Sequence, residues 1–246
     1  MSSSKPEDLA QYFAAAHEPG VELAANYNVA PTSEVYVVAE HDHSRLLEAL
    51  RWGLVPPWAD NLRAGARMIN ARLETVATRN AYRQAFRRRR CIVPADGFYE
   101  WTAVPGQTRK QPWYIHRPDG EPYAFAGLWE RWREPGTDGP WVLSCTVITG
   151  AANPLMARVH DRMPVVLAPD VWEAWLDPDL QDADAVAAML GPTPAELVAF
   201  HPVSLEVNTV RNRGAHLIDE VALGAGSPDL RSDASDRPTT GNHASS

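Results

Sequence analysis

The chain has 246 residues, 45% apolar and 22% charged, the balance of a soluble globular protein rather than a disordered one. Its formal net charge of −8 argues against indiscriminate coating by nucleic acid but leaves room for a local basic groove. No charged-then-apolar leader opens it and no apolar run reaches transmembrane length, so a cytoplasmic protein with no membrane partner is expected.

Ser3 and Ser4 stand before Lys5-Pro6-Glu7-Asp8-Leu9, a helix start with a capping serine and early acids. That helix is expected to run to about residue 17, where Pro19-Gly20 stops it. Residues 34–39 alternate and are rich in β-branched side chains, which predicts a strand, and residues 46–52 predict a second. Trp52-Gly53-Leu54-Val55-Pro56-Pro57-Trp58 follows as a stiff loop with an indole at each end. A helix is predicted over residues 79–86, running into Arg87-Arg88-Arg89-Arg90 and then the apolar Cys91-Ile92-Val93.

Ala95-Asp96-Gly97 predicts a turn into a strand, residues 105–110 a hairpin loop, and residues 113–116 the returning strand. Further strands are expected over residues 123–129, 141–149 and 164–167, with helices over 171–175 and 182–190. A last sheet segment is expected over residues 202–208. From Gly224 the composition turns to Gly, Ser, Asp, Pro, Thr and Asn, which predicts a disordered tail. Many short strands without regular βαβ alternation predict an α+β domain over residues 1–223, built on a curled, mostly antiparallel, barrel-like sheet with flanking helices.

Several side chains have the chemistry for a site. His160 lies between Arg158 and Arg162, just ahead of an apolar strand, where a site for an anion such as phosphate could be built. It could equally end a strand, with the arginines solvated. Glu100, between Tyr99 and Trp101, is either a desolvated carboxylate suited to general acid work or an edge-strand glutamate facing water. Asn70 and Arg72 share a strand face and could offer donors to a phosphate or sugar oxygen. Glu74 continues that face and could pair with Arg72. The run Arg87 to Arg90, with Arg79 and Arg83 before it, is the strongest basic patch of an acidic chain; it suits a nucleic-acid contact or a solvated face. Trp52 and Trp58 could stack on bases, or Trp52 could be core.

Two cysteines, Cys91 and Cys145, are too few for a disulfide framework and sit in apolar runs. Cys145 paired with His160 would make a thiol peptidase, but its mid-strand setting predicts an inert thiol. The sequence holds no Gly-rich phosphate loop, no Cys-x-x-Cys and no His-Glu-x-x-His, and its histidines lack metal-ligand spacing. No cofactor or metal is expected.

Taken together the motifs resemble the SOS-response-associated peptidase (SRAP) family of abasic-site-processing proteins. The resemblance rests on Asn28-Val29-Ala30-Pro31, the Trp52 to Trp58 loop, Asn70-Ala71-Arg72-Leu73-Glu74-Thr75 and Pro94-Ala95-Asp96-Gly97-Phe98-Tyr99-Glu100-Trp101. Lys110-Gln111-Pro112, Ala126-Gly127-Leu128-Trp129, His160-Asp161-Arg162-Met163-Pro164 and Val203-Ser204 with Val207-Asn208 complete it in order from about residue 9 to 219.

The resemblance implies a monomer that binds single-stranded DNA at abasic sites and forms a protective covalent cross-link. The family's nucleophile is an N-terminal cysteine exposed by autocatalytic removal of the preceding residue. Its amine condenses with the ring-opened sugar aldehyde and its thiol closes a thiazolidine. By matched position Asn70 would hold the N-terminal group and sugar, Glu100 would be the acid/base, and His160 would lie near the opened sugar. Arg72 and Arg162 would contact phosphates, Trp58 would meet a bend in the DNA, and Asn28 belongs to the matching DNA-binding set. One departure matters. The family opens Met-Cys-Gly-Arg, whereas this sequence opens Met1-Ser2-Ser3-Ser4. Two expectations follow: a start placed a few residues late, or a variant that binds the lesion without a lasting bond.

Overall fold

A computed structural model of the protein describes residues 1–17, 22–224 and 230. The expected stop at Pro19-Gly20 falls outside these residues, as does all but Gly224 and Leu230 of the expected disordered tail. The strands are Ala16–His17 (β1), Glu34–His41 (β2), Ser44–Trp52 (β3), Asn70–Arg72 (β4), Arg90–Ala95 (β5) and Gly97–Thr102 (β6). They continue with Gln111–His116 (β7), Tyr123–Trp132 (β8), Val142–Ala151 (β9), Arg162–Pro164 (β10) and Ala199–Pro202 (β11). The α-helices are Pro6–Tyr12 (α1), Leu73–Val76 (α2), Arg83–Arg88 (α3), Trp172–Leu176 (α4) and Ala183–Ala188 (α5).

Strands β3, β2, β5, β8 and β9 lie side by side, and the ring closes because β3 also pairs with β9. The closing seam is parallel, with Arg51 opposite Ser144 and Trp52 opposite Cys145; the other seams are antiparallel. Alternate residues on each strand face opposite ways, so the ring has two apolar faces. Val37, Cys91, Val93, Phe125, Cys145 and Val147 share one core cluster. Val38, Ile92, Ala126 and Ile148 belong to another, which includes Phe86 and Trp175 from the helices. Each fully buried large side chain such as Phe86 contributes roughly 1.5–3 kcal/mol of transfer free energy. The ring is narrow: a Cβ on Gly127 would lie 2.8 Å from Val93 and 2.9 Å from the Cys91 sulfur.

β6, β7 and β11 make a separate antiparallel sheet in the order β11-β7-β6. The chain passes from barrel to second sheet through Asp96, between β5 and β6. The backbone crowds there, because a Cβ on Gly97 would fall 2.4 Å from the Ile115 carbonyl oxygen and from the Tyr114 ring. β2 pairs with β5 only at Val38–Ile92 and Ala39–Cys91. Pro94, further along β5, has no N–H to donate, so the wall can open at that point without orphaning a donor. The site lies beside this opening, between the barrel mouth and the second sheet.

The α+β class, the curled sheet and the flanking helices are as the sequence predicts, and several local expectations are corrected. α1 ends at Tyr12, and Ala16–His17 instead pairs with Leu46–Leu47 as a parallel edge strand. Its cap is Lys5, with no side-chain cap bond; the serine hydroxyls turn instead to Asp96. α3 begins at Arg83, residues 79–82 forming a turn. After β11 the chain leaves the sheet, and Leu205–Asn208 is a 3-10 turn whose Glu206 N–H is accepted by the Ser204 hydroxyl.

Candidate active site

A cavity of about 700 Å³ opens at the barrel mouth. Its apolar lining includes Val35, Val93, Phe125 and Val147 from the barrel and Phe98 from the second sheet. Asn70, Arg72, Glu100, His160, Arg162 and Asn28 all line it, together with Met1 and Ser2. Six of the seven residues that the resemblance assigns to the site therefore line one cavity, although they come from distant parts of the chain. Trp58 is the exception. It is 54% exposed on the loop after β3 and does not line the cavity, whereas Trp52 does, its indole N–H donating to the Ile69 carbonyl at 3.0 Å.

β4 presents Asn70 and Arg72 because Ala71, between them, is fully buried. Parallel pairing sets Asn70 opposite Val147 and Arg72 opposite Thr149. Glu100 sits mid-strand on β6, opposite Trp113, and is partly buried. Burial raises its carboxyl above the ordinary range, while the neighbouring charge of His160 pulls the other way. A carboxylic acid kept protonated nearer neutrality can deliver a proton to a leaving oxygen.

His160 is exposed at the rim. Its Nδ1, when unprotonated, accepts the backbone N–H of Arg162 at 3.1 Å. When protonated, the same nitrogen has the Asp161 carboxylate at 3.3 Å. In either state Nε2 is left for a ligand. Arg162 donates from Nη1 and Nη2 to the two carboxylate oxygens of Glu74, at 2.7 and 3.0 Å, and from Nη2 to the Thr149 carbonyl at 2.5 Å. The expected partner of Glu74, Arg72, is thus replaced by Arg162, since the chain enters α2 at Leu73 and leaves the strand face. The Asn28 amide nitrogen donates to the carbonyls of Val207 and Thr209, at 2.9 and 3.3 Å, tying down one wall.

Sequence reasoning missed the wall formed by the first residues. The Met1 amine donates to the Gly97 carbonyl at 2.9 Å, and burial lowers its pKa to about 6. Ser2 bridges Asn26, and Ser3 and Ser4 bind the Asp96 carboxylate. The sequence carries no local signal for a contact across more than ninety residues. The basic run is also divided. Arg87 and Arg88 are exposed, Arg89 pairs with Glu130 at 2.7 Å, and Arg90 is 2% exposed with its guanidinium on the carbonyls of Phe86, Arg87, Trp175 and Asp177. None of the four lines the cavity.

Cys91 and Cys145 are both fully buried, and burial pushes the Cys145 thiol up to about 12. Neither lines the cavity, so a Cys145–His160 peptidase has no geometric basis. Among the described residues no cluster of potential metal ligands occurs, and no helix is long and apolar enough to cross a membrane.

The barrel mouth thus carries an amide, an acid, an imidazole and guanidinium groups. The profile of the family described as SOS response associated peptidase (SRAP) matches residues 1–210, and the chain belongs to that family. It is 39% identical over 201 residues to abasic site processing protein YoqW of Bacillus subtilis (strain 168), covering 82% of this chain and 88% of that one. To abasic site processing protein YedK of Escherichia coli (strain K12) it is 35% identical over 202 residues, covering 81% and 86%. To abasic site processing protein HMCES of Gallus gallus it is 32% identical over 230 residues, covering 81% and 67%. Among solved structures, a Bacteroides thetaiotaomicron protein superposes with a TM-score of 0.78 at 23% identity, covering 89% of this chain and 97% of that one. A Bordetella bronchiseptica protein superposes with a TM-score of 0.68 at 28% identity, covering 83% and 98%.

Proposed function

We propose that this protein processes abasic sites, acting as a monomer that takes the ring-opened sugar of a lesion in single-stranded DNA into the barrel-mouth cavity. The observation that carries this reading is the convergence of Asn70, Glu100 and His160 on that cavity, in a chain whose relatives are named abasic site processing proteins. Asn70 offers an amide to the sugar oxygens. Glu100 exchanges the proton needed when an amine adds to the aldehyde and water leaves. His160 stands at the rim with Nε2 towards the opened sugar. Arg72 and Arg162 meet the phosphates on either side, and Trp58, outside the cavity, meets the strand where it bends away.

The durable bond in this reading is a thiazolidine. A cysteine α-amine condenses with the aldehyde, releasing water, and the thiol of the same residue adds to the imine carbon. That cysteine becomes N-terminal when the residue before it is removed by the protein's own peptidase activity. A second reading is occupancy without a lasting bond. It is favoured by one observation: neither cysteine of the sequence reaches the cavity.

One experiment tests both. The chain starting at Met1, and a version with Met-Cys-Gly-Arg ahead of it, are incubated with an abasic single strand and run on a denaturing gel after heating. A heat-stable adduct from the extended chain alone supports cross-linking through the N-terminal cysteine. A stable adduct from the chain starting at Met1 points to another nucleophile, such as Lys110. No adduct from either, with lesion-selective binding retained, supports occupancy.

A further inference from the structure

Arg162 and Glu74 form a closed ion pair at the cavity rim, and the two partners are held very differently. Arg162 donates through Nη2 to the Thr149 carbonyl, its side chain is 22% exposed, and its Nε is buried without a partner. Glu74 is 52% exposed and stands at the second residue of a four-residue helix. Its two carboxylate oxygens cover Nη1 and Nη2 in the same forked geometry with which a guanidinium takes a phosphate. The charge of Arg72 bears on Glu74 only weakly, and its ion pair is with Arg162. The fixed partner is the cation, and the exposed, replaceable partner is the anion.

We propose that Glu74 is the resident anion of a phosphate seat on Arg162. Its carboxylate fills the seat in the free protein and gives way to a backbone phosphate when DNA binds. The inference rests on the reading above that Arg162 meets a phosphate. Thr149 keeps the guanidinium in place through the exchange, so Glu74 is not needed to aim it. Exchange also sets a threshold for binding. A single weak anion must displace a chelating carboxylate, whereas a strand held at several phosphates supplies its phosphate at high local concentration.

The test is a double-mutant cycle on a labelled abasic single strand, using wild type, Glu74→Gln, Arg162→Gln and the double variant. Thermal melts establish that each variant is folded. Arg162→Gln is expected to weaken binding. Glu74→Gln is expected to tighten it about two- to fivefold, the range set by an exposed ion pair. That gain should shrink as salt is raised and vanish in the Arg162→Gln background. Weaker or unchanged binding by Glu74→Gln overturns the exchange, since Glu74 would then only hold the arginine or do nothing. An equal gain with Arg162 absent overturns it too, as a general charge effect. If Arg162→Gln alone loses no affinity, the fault lies in the phosphate reading of Arg162, and the exchange falls with it.

Discussion

The backbone N–H of Ser3 donates to Oδ2 of Asp96 at 2.6 Å, across 93 residues of sequence. The Ser3 hydroxyl at 2.9 Å, the Ser4 N–H at 3.2 Å and the Ser4 hydroxyl complete the hold on that one carboxylate. A single acid at the barrel-to-sheet crossover thus fastens the first residues against the cavity they help to line. Asp96→Ala should leave two backbone donors without their acceptor and destabilise the protein by about 2–3 kcal/mol. Asp96→Asn, which keeps one acceptor oxygen, should lose less. Denaturant unfolding measures both, and an Asp96→Ala value within about 0.5 kcal/mol of wild type, the range of ordinary surface changes, would contradict the clasp.

Arg90 differs from the exposed Arg87 and Arg88 of the same run in being buried in a structural role. Its guanidinium neutralises carbonyls around α3 and α4 from a buried position, the favourable place for a cation at helix C-termini. Arg90→Met should lower stability by about 2–3 kcal/mol by orphaning those carbonyls. Its affinity for single-stranded DNA, measured well below the melting temperature, should stay at the wild-type value. Reduced affinity with full stability would return Arg90 to a nucleic-acid contact.

Glu100 carries a pH signature. Its carboxyl is raised on folding, so the folded state binds the proton more tightly than the unfolded state does. Stability on this account is greatest below the ordinary carboxylate range and falls as pH rises through the raised value. Glu100→Gln removes the buried charge. Its melting temperature should therefore exceed that of wild type at neutral pH, with the two converging in acid. The same variant should slow adduct formation or reversal by about a hundredfold, the lower range of general acid–base effects. An unchanged rate with the predicted melting behaviour would make Glu100 a structural residue.

The barrel itself was largely legible. β-Branched residues marked β2, although Val35 to Ala39 are all buried and do not alternate as expected; turn residues marked the β6–β7 hairpin, and spacing placed Asn70 and Arg72 on one face. Two kinds of feature were not. β5 is buried along its whole length, so it shows no alternation and reads simply as an apolar run. Arg90, at its head, looks like its three exposed or half-exposed neighbours until the carbonyls around it are in place. Long-range polar contacts were equally silent. Ser3 and Ser4 suit a helix cap, and nothing local shows that Asp96 competes for their hydroxyls. Glu74 keeps strand spacing with Arg72, and only the turn into α2 at Leu73 shows that it answers Arg162 instead.

The barrel-mouth cavity, proposed above as the seat of an abasic sugar, is tested most directly by the affinity of wild type and Asn70→Ala for two single strands that differ only in having an abasic site or an intact base at one position. Wild type should prefer the abasic strand. Asn70→Ala should lose about 1–3 kcal/mol of that preference, the range for removing one partner of a desolvated polar contact, and keep its affinity for the intact strand. A preference for the lesion that survives in Asn70→Ala, or an equal loss on both strands, would contradict the account.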